Sequence, residues 1–158
     1  MENLGPPAHG RLTAILLCAK KGEQPTPPLQ HATLRQGLGL EGDRHAKGGQ
    51  RQLSLFTQGG RTWMAAQSQP GLCFPRFREN LCFDGLAMGG LEVGARLSVG
   101  EALIEITAKK GCYADCPLFS QGLECRLARE GLFAKVTGSG EIRVGDLVER
   151  MLSINSCQ

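Results

Sequence analysis

A chain of 158 residues with a formal net charge of +3 and 21% charged residues has the length of one domain and the composition of a soluble globular protein. So mild a charge gives no ground for a nucleic-acid partner, and no apolar run approaches the roughly 18 residues of a membrane-crossing helix. The seven cysteines are an odd number, and no charged segment followed by an apolar one marks a secretory leader, so free thiols in a reducing cytoplasm are expected.

Residues 1–10, with two prolines, read as a loose entry. Arg11 to Ala19 (RLTAILLCA) is short, apolar and bounded by turn residues, which predicts a strand. Lys20 to Gln30 holds Pro25, Pro27 and Pro28 and reads as a loop, and Leu38 to Asp43 is too rich in glycine for a helix. Gln52 to Phe56 (QLSLF) is a second strand, and Arg61 to Gln69 (RTWMAAQSQ) predicts a helix stopped at Pro70-Gly71. Arg76 to Phe83 is strand-like, with a turn at Asp84-Gly85. Ala95–Val99 and Ala102–Ala108 predict a hairpin around Gly100-Glu101. Pro117–Gln121 and Cys125–Glu130 read as short helical pieces. Phe133–Thr137, Glu141–Val144 and Asp146–Arg150 are further strands, and residues 151–158 a tail. Short strands punctuated by glycine predict a mainly β fold, a closed or partly open β-barrel with a few short helices, as one domain over residues 11–150.

Chemistry concentrates first in Lys109-Lys110-Gly111-Cys112-Tyr113-Ala114-Asp115-Cys116-Pro117. Two thiols four residues apart, beside two lysines, suit thiolate chemistry, because positive charge stabilises the reactive anion while apolar burial opposes it. A thiolate is also a soft metal ligand. The competing reading makes one or both of them buried small hydrophobes. The second concentration is Gly42 to Arg51, where Arg44, His45, Lys47 and Arg51 stand in a loop flanked by glycines. Glycines let amides turn toward an anion and arginine forks match phosphate oxygens, so a phosphorylated guest is expected unless the loop is simply solvated. Arg78 and Asn80 share strand phase and would line one side of a pocket or of an edge strand. Cys125 could join Cys112 and Cys116, with His45 as fourth ligand, in a tetrahedral zinc site. Cys18, Cys73 and Cys82 lie in apolar or strand-like stretches and read as core thiols.

These groups, in this order, resemble the MOSC domain family, named for the C-terminal domain of molybdenum cofactor sulfurases. The matching pieces are Gly39 to His45, Arg51 to Phe56, Arg78 to Leu81, Val93 to Gly100 and Gly111 to Cys116. Arg129 to Val136, with Gly145-Asp146, looks like the short stand-alone bacterial branch. The resemblance runs from about Arg11 to Arg150. It implies a barrel of the pyruvate-kinase type and a cysteine that carries a persulfide or ligates the molybdenum of the cofactor. That cysteine maps to Cys116, with Cys112 as the alternative. The basic loop of Arg44, Lys47 and Arg51 would cradle the pterin phosphate, with His45, Arg78 and Asn80 beside it.

The resemblance implies a molybdenum-cofactor binder or sulfur carrier serving cofactor-maturation or molybdoenzyme partners. A molybdenum-dependent reductase of N-hydroxylated compounds, acting with redox partners, is an alternative expectation, and a zinc-stabilised interaction module is another. The chain shows no pyridoxal-phosphate desulfurase domain, so no pyridoxal phosphate is expected on it. Nor does it show the additional N-terminal and C-terminal parts with which larger reductase relatives enclose the cofactor.

Overall fold

Period-two burial builds the framework. In the computed structural model, which describes residues 9–18, 26–68 and 70–151, β7 (Ala102–Lys109) turns Ala102, Ile104 and Ile106 fully inward. Its partner β8 (Leu132–Gly138) does the same with Leu132, Ala134 and Val136. Alternation of this kind marks strands with one face on a core. The other strands of this sheet are β1 (His9–Ile15), β4 (Leu53–Thr57), β5 (Leu81–Asp84), β6 (Arg96–Val99) and β10 (Leu147–Arg150). Among the described residues they close a seven-stranded barrel in the order β1-β10-β6-β7-β8-β4-β5. The mainly β architecture expected from the sequence is therefore the architecture found.

One neighbouring pair, β4 and β5, is parallel. A parallel step needs a crossover, and α1 (Gln58–Ala65) supplies it. Consequently β4 is covered on both faces. Leu53 and Leu55 face the barrel core, while Phe56 packs outward with Met64, Phe77 and Leu127. A smaller sheet, β2 (His31–Arg35) between β3 (Gly39–Leu40) and β9 (Gly140–Arg143), adds Leu34, Leu40 and Ile142 to the barrel core.

Between β7 and β8 the chain makes a long excursion, closed at its base where Lys110 N–H donates to the Gly131 carbonyl at 2.8 Å. It carries α2 (Pro117–Ser120) and α3 (Arg126–Glu130). The Thr57 hydroxyl ties this excursion to the barrel. It caps α1 by accepting from Gly60 N–H at 2.8 Å and donates to Glu130 Oε1 at 2.7 Å. Burial opposes ionisation of Glu130, but the Arg126 guanidinium and the Thr57 hydroxyl outweigh it and hold the carboxyl below its ordinary value.

Several elements differ from the sequence expectation. The helix expected at Arg61–Gln69 begins three residues earlier, across Gly59-Gly60. There glycine serves packing, since a Cβ on Gly60 would sit 2.5 Å from the Phe56 ring. The strand expected at Arg76–Phe83 starts only at Leu81, because residues 71–79 form a turn-rich loop anchored by Phe74 and Phe77, and Asp84 belongs to β5. The strand expected from Arg11 starts at His9 and ends at Ile15. Strand β2 follows the proline loop unheralded by the sequence: HATLR has one fully buried residue and an otherwise polar or small face. The loose entry at 1–8, part of the 20–30 loop and the tail from 152 lie outside the described residues.

Gly10 marks a tight seam of the barrel. A Cβ there would collide with the Asp84 carbonyl and lie 2.7 Å from Leu86 N. Gly10→Ala is therefore expected to lower stability by about 1–3 kcal/mol in urea unfolding. Gly90→Ala, which meets open space, is the control and should stay within about 0.5 kcal/mol of wild type.

Candidate functional site

The last rung between β1 and β5 pairs Ile15 with Leu81. Immediately beyond it, Leu16 N–H donates to the Asn80 carbonyl at 2.7 Å. The Asn80 side chain is fully buried, and its amide spans three segments. Oδ1 accepts from Ser54 N–H at 3.0 Å, and Nδ2 donates to the Leu16 carbonyl at 3.1 Å and to Asp43 Oδ1 at 3.0 Å.

Asp43 is the second buried polar group, and donors fill both of its oxygens. Oδ1 also accepts from Cys18 N–H at 2.6 Å, and Oδ2 accepts from His45 N–H at 2.9 Å. His45 Nδ1 lies 3.1 Å from the same Oδ2, and Arg44 Nε–H approaches His45 Nε2 at 3.3 Å. That pair of contacts is met by the tautomer with its proton on Nδ1 and its lone pair on Nε2. Ser54 Oγ lies 2.8 Å from the Arg78 carbonyl. Arg78 thus contributes its backbone inward, while its side chain, like those of Arg44, Lys47 and Arg51, reaches solvent. Among the described residues none of these four cations is paired with a carboxylate. The Arg51 guanidinium lies 4.5 Å above the Phe133 ring.

Cys18, read from the sequence as a core thiol, is half-buried at this cluster. Burial, then the nearby Asp43 carboxylate, pushes its thiol up to about 11. Cys18, Asp43 and His45 have ligand atoms within 4.8 Å of one another. With Asp43 already filled by donors and Cys18 holding its proton, the group is a hydrogen-bonded hub rather than a vacant set of ligands. It is also where His45 resides, so the expected zinc set of Cys112, Cys116, Cys125 and His45 is not assembled. Among the described residues no group built on those three cysteines has ligand atoms close enough to share an ion.

The paired thiols lie in the excursion between β7 and β8, against the flank formed by residues 71–74. Cys116 stands immediately before α2 and is 3% exposed, whereas Cys112 is exposed. Of the two candidate thiols, Cys112 is the open one and Cys116 the covered one. Burial does not raise the Cys116 thiol above its ordinary value. The Leu72 N–H donates to its Sγ at 3.4 Å. The amides of Leu118 and Phe119 face the same sulfur without closing a capping bond. Led by Leu72, these N–H groups outweigh burial and bring the Cys116 thiol below its ordinary value. Cys112 is shifted the other way, by its own desolvation and then by the neighbouring Cys116.

Gly71 makes this contact possible. A Cβ there would lie 2.9 Å from the Phe74 ring and 3.1 Å from Leu118, so glycine lets the 71–72 backbone press onto α2. Nearby, Lys110 Nζ sits 3.2 Å from Cys73 Sγ and 5.0 Å over the Tyr113 ring. A groove of about 680 Å³, lined by apolar side chains and Arg61, borders Cys116 through Leu72 and Pro117.

The structure thus gathers His45, Asn80 and the Arg78 backbone at one cluster, and Cys112 with Cys116 at another. Residues 71–80 link the two, touching Cys116 at Leu72 and the Ser54–Cys18 cluster at Arg78. Asp43, Ser54 and the Leu72 amide are contributors that the sequence reading did not single out. An acid enclosed by Gly42 and three cations was the available signal for Asp43. Nothing in the sequence marks a backbone amide.

A small β-barrel with a thiol flank and a basic, carboxylate-anchored mouth is the class this geometry defines. The chain belongs to the MOSC domain family, whose model matches residues 42–149, a family associated with the molybdenum cofactor. Similar solved structures include YiiM from Escherichia coli, 22% identical with a TM-score of 0.59, over 91% of this chain and 71% of that one. The YuaD protein from Bacillus subtilis is 16% identical with a TM-score of 0.63, over 92% and 97% of the two chains. YiiM from Geobacillus stearothermophilus is 14% identical with a TM-score of 0.53, over 93% and 75%. These likenesses establish the fold. No curated protein matches the sequence. Among the described residues no helix is long and apolar enough to cross a membrane.

Asp43→Asn removes the carboxylate that is the second cause of the high Cys18 value. The Cys18 titration, followed by alkylation rate against pH with peptide mass assignment, should move down from about 11 while staying above the ordinary thiol value, because burial remains. An unchanged midpoint would remove Asp43 as a cause.

Proposed function

We propose that this chain carries sulfur as a persulfide on Cys116 in the handling of the molybdenum cofactor. The observation that carries this reading is the sulfur's setting. Cys116 is shielded from solvent yet faced by peptide N–H groups that favour its anion. An anionic sulfur is the form that attacks a sulfane donor, and shielding protects the product from stray reductants.

The residues present fit the cofactor in donor chemistry. Arg44, Lys47, Arg51 and Arg78 are exposed cations suited to its phosphate, and the Cys116 sulfur is a soft donor suited to its metal. When bound, the cofactor would supply a metal–sulfur centre. His45, held by Asp43 with Nε2 as its accepting atom, would take a hydrogen bond from the pterin in place of the one from Arg44 Nε–H. The acceptors of the sulfur would be cofactor-maturation proteins or molybdoenzymes.

One observation favours a second reading, reduction of N-hydroxylated compounds. The groove lined by Leu72 and Pro117 is large enough to seat a small organic substrate against the two residues that adjoin Cys116.

Exposure to inorganic polysulfide followed by peptide mass spectrometry tests the carrier reading. An adduct of about 32 Da, one sulfur atom, is expected on Cys116. It should vanish in Cys116→Ser and persist in Cys112→Ser. An adduct confined to Cys112, or one unchanged by Cys116→Ser, would reject the assignment.

A further inference from the structure

The carrier reading accounts for Cys116 but leaves Cys112 without a task. The placement of Cys112 is specific. Cys116 N–H donates to the Tyr113 carbonyl at 3.1 Å, closing a turn over residues 113–116. Cys112 enters that turn and Cys116 leaves it, so the two thiols are neighbours at its neck and each influences the other. Cys112 is exposed where Cys116 is covered. The pair therefore has one sheltered sulfur and one open sulfur on either side of a tight turn, in a segment that no regular strand or helix holds before Pro117.

Resting on the carrier reading, we infer that Cys112 discharges a persulfide on Cys116 by closing a Cys112–Cys116 disulfide, releasing the outer sulfur as hydrosulfide. The step balances. The Cys112 thiol gives its proton to the terminal sulfur of the persulfide anion. The Cys112 sulfur then bonds to Cys116 Sγ, the Cys116–sulfane bond breaks, and the bonding pair leaves with HS⁻. The sulfane sulfur is reduced by two electrons, and the two cysteine sulfurs are oxidised to the disulfide. A dithiol reductant restores both thiols for the next cycle.

The geometry favours attack at the inner sulfur, because Cys112 already adjoins Cys116 Sγ. A disulfide needs the two side chains to converge, and the turn supplies that convergence. The Lys110 ammonium lies on the same flank, next to Cys73. The neighbouring thiols, Cys73 and Cys125, are half-buried. Discharge through Cys112 would also set the product. A chain using it delivers free sulfide, whereas a chain lacking it can only pass sulfane sulfur directly to an acceptor.

The test uses the full chain. Reduced protein is charged with inorganic polysulfide, desalted without reductant, and followed for sulfide release by a colorimetric trap and for mass by intact and peptide spectrometry. Wild type should release about one sulfide per charged chain and finish about 2 Da below the reduced mass, with a Cys112–Cys116 linked peptide. Cys112→Ser should keep the adduct of about 32 Da on Cys116 and release sulfide at least about tenfold more slowly. Cys73→Ser and Cys125→Ser should behave as wild type. If the adduct forms on Cys116 but Cys112→Ser releases sulfide at the wild-type rate, or if Cys116 links to Cys73 or Cys125, the inference is overturned and the carrier reading stands. If wild type takes up no adduct, releases no sulfide and keeps its reduced mass, and Cys112→Ser takes up no adduct either, both fall.

Discussion

Peptide N–H groups turned onto a single covered sulfur are what the rest of this structure depends on. Covering a thiol with protein ordinarily raises its pKa, because the anion loses water. Cys116 shows the opposite direction because the Leu72 amide replaces part of that hydration, with the amides at the start of α2 adding to it. The contrast with Cys18 is instructive. Both thiols are withdrawn from water, but Cys18 looks at a carboxylate and its own N–H is given to Asp43, so its value rises to about 11. Burial and then the Asp43 carboxylate raise Cys18, whereas at Cys116 the Leu72 amide outweighs burial.

Holding Leu72 against Cys116 is a task shared between distant parts of the chain. Gly71 permits the close approach to Leu118, and Phe74 and Phe77 pin the loop to the aromatic cluster under α1. At its other end the same loop is fixed by Ser54 on the Arg78 carbonyl and by the Asn80 amide. Asn80 in turn rests on Asp43, which orders residues 43–45 and aims His45. Buried polar contacts therefore run from the basic mouth of the barrel to the Ser54–Asn80 pair, and the 71–79 loop, pinned by Phe74 and Phe77, carries the connection on to Leu72 at the thiol flank. Leaving any of these polar groups unsatisfied would cost on the order of 1–3 kcal/mol, which ties the positioning of the site to the integrity of the barrel.

The barrel was legible because its rules are local. Runs such as ALIEITA and LFAKV alternate cleanly, and Gly100, at φ +55°, turns the β6–β7 hairpin where the sequence places it. Reading failed where tertiary packing overrode local preference. Gly59-Gly60 looks like a helix stop, yet it opens α1 because Phe56 leaves no room for a side chain. RFREN looks extended, yet its aromatic residue anchors a loop. Asn80 was legible from its shared strand phase with Arg78, and His45 from its place in the basic, glycine-flanked loop. Their organiser, Asp43, was not, since a carboxylate among cations reads as surface charge until its burial is known. The identities of the paired thiols were visible, but which of them faces water was not, because that is decided by residues 71–74, some forty positions away.

The direct test of the central claim is a titration that does not require a reagent to reach the sulfur. Carbon-13 labelling at cysteine Cβ, with single Cys→Ser variants for assignment, follows each thiol by NMR as pH is raised. Cys116 is expected to ionise below free cysteine and Cys112 above it, with Cys18 the last of the three, near 11. A Cys116 resonance that titrates above that of Cys112 would contradict the account, because the amides would then not be holding the anion.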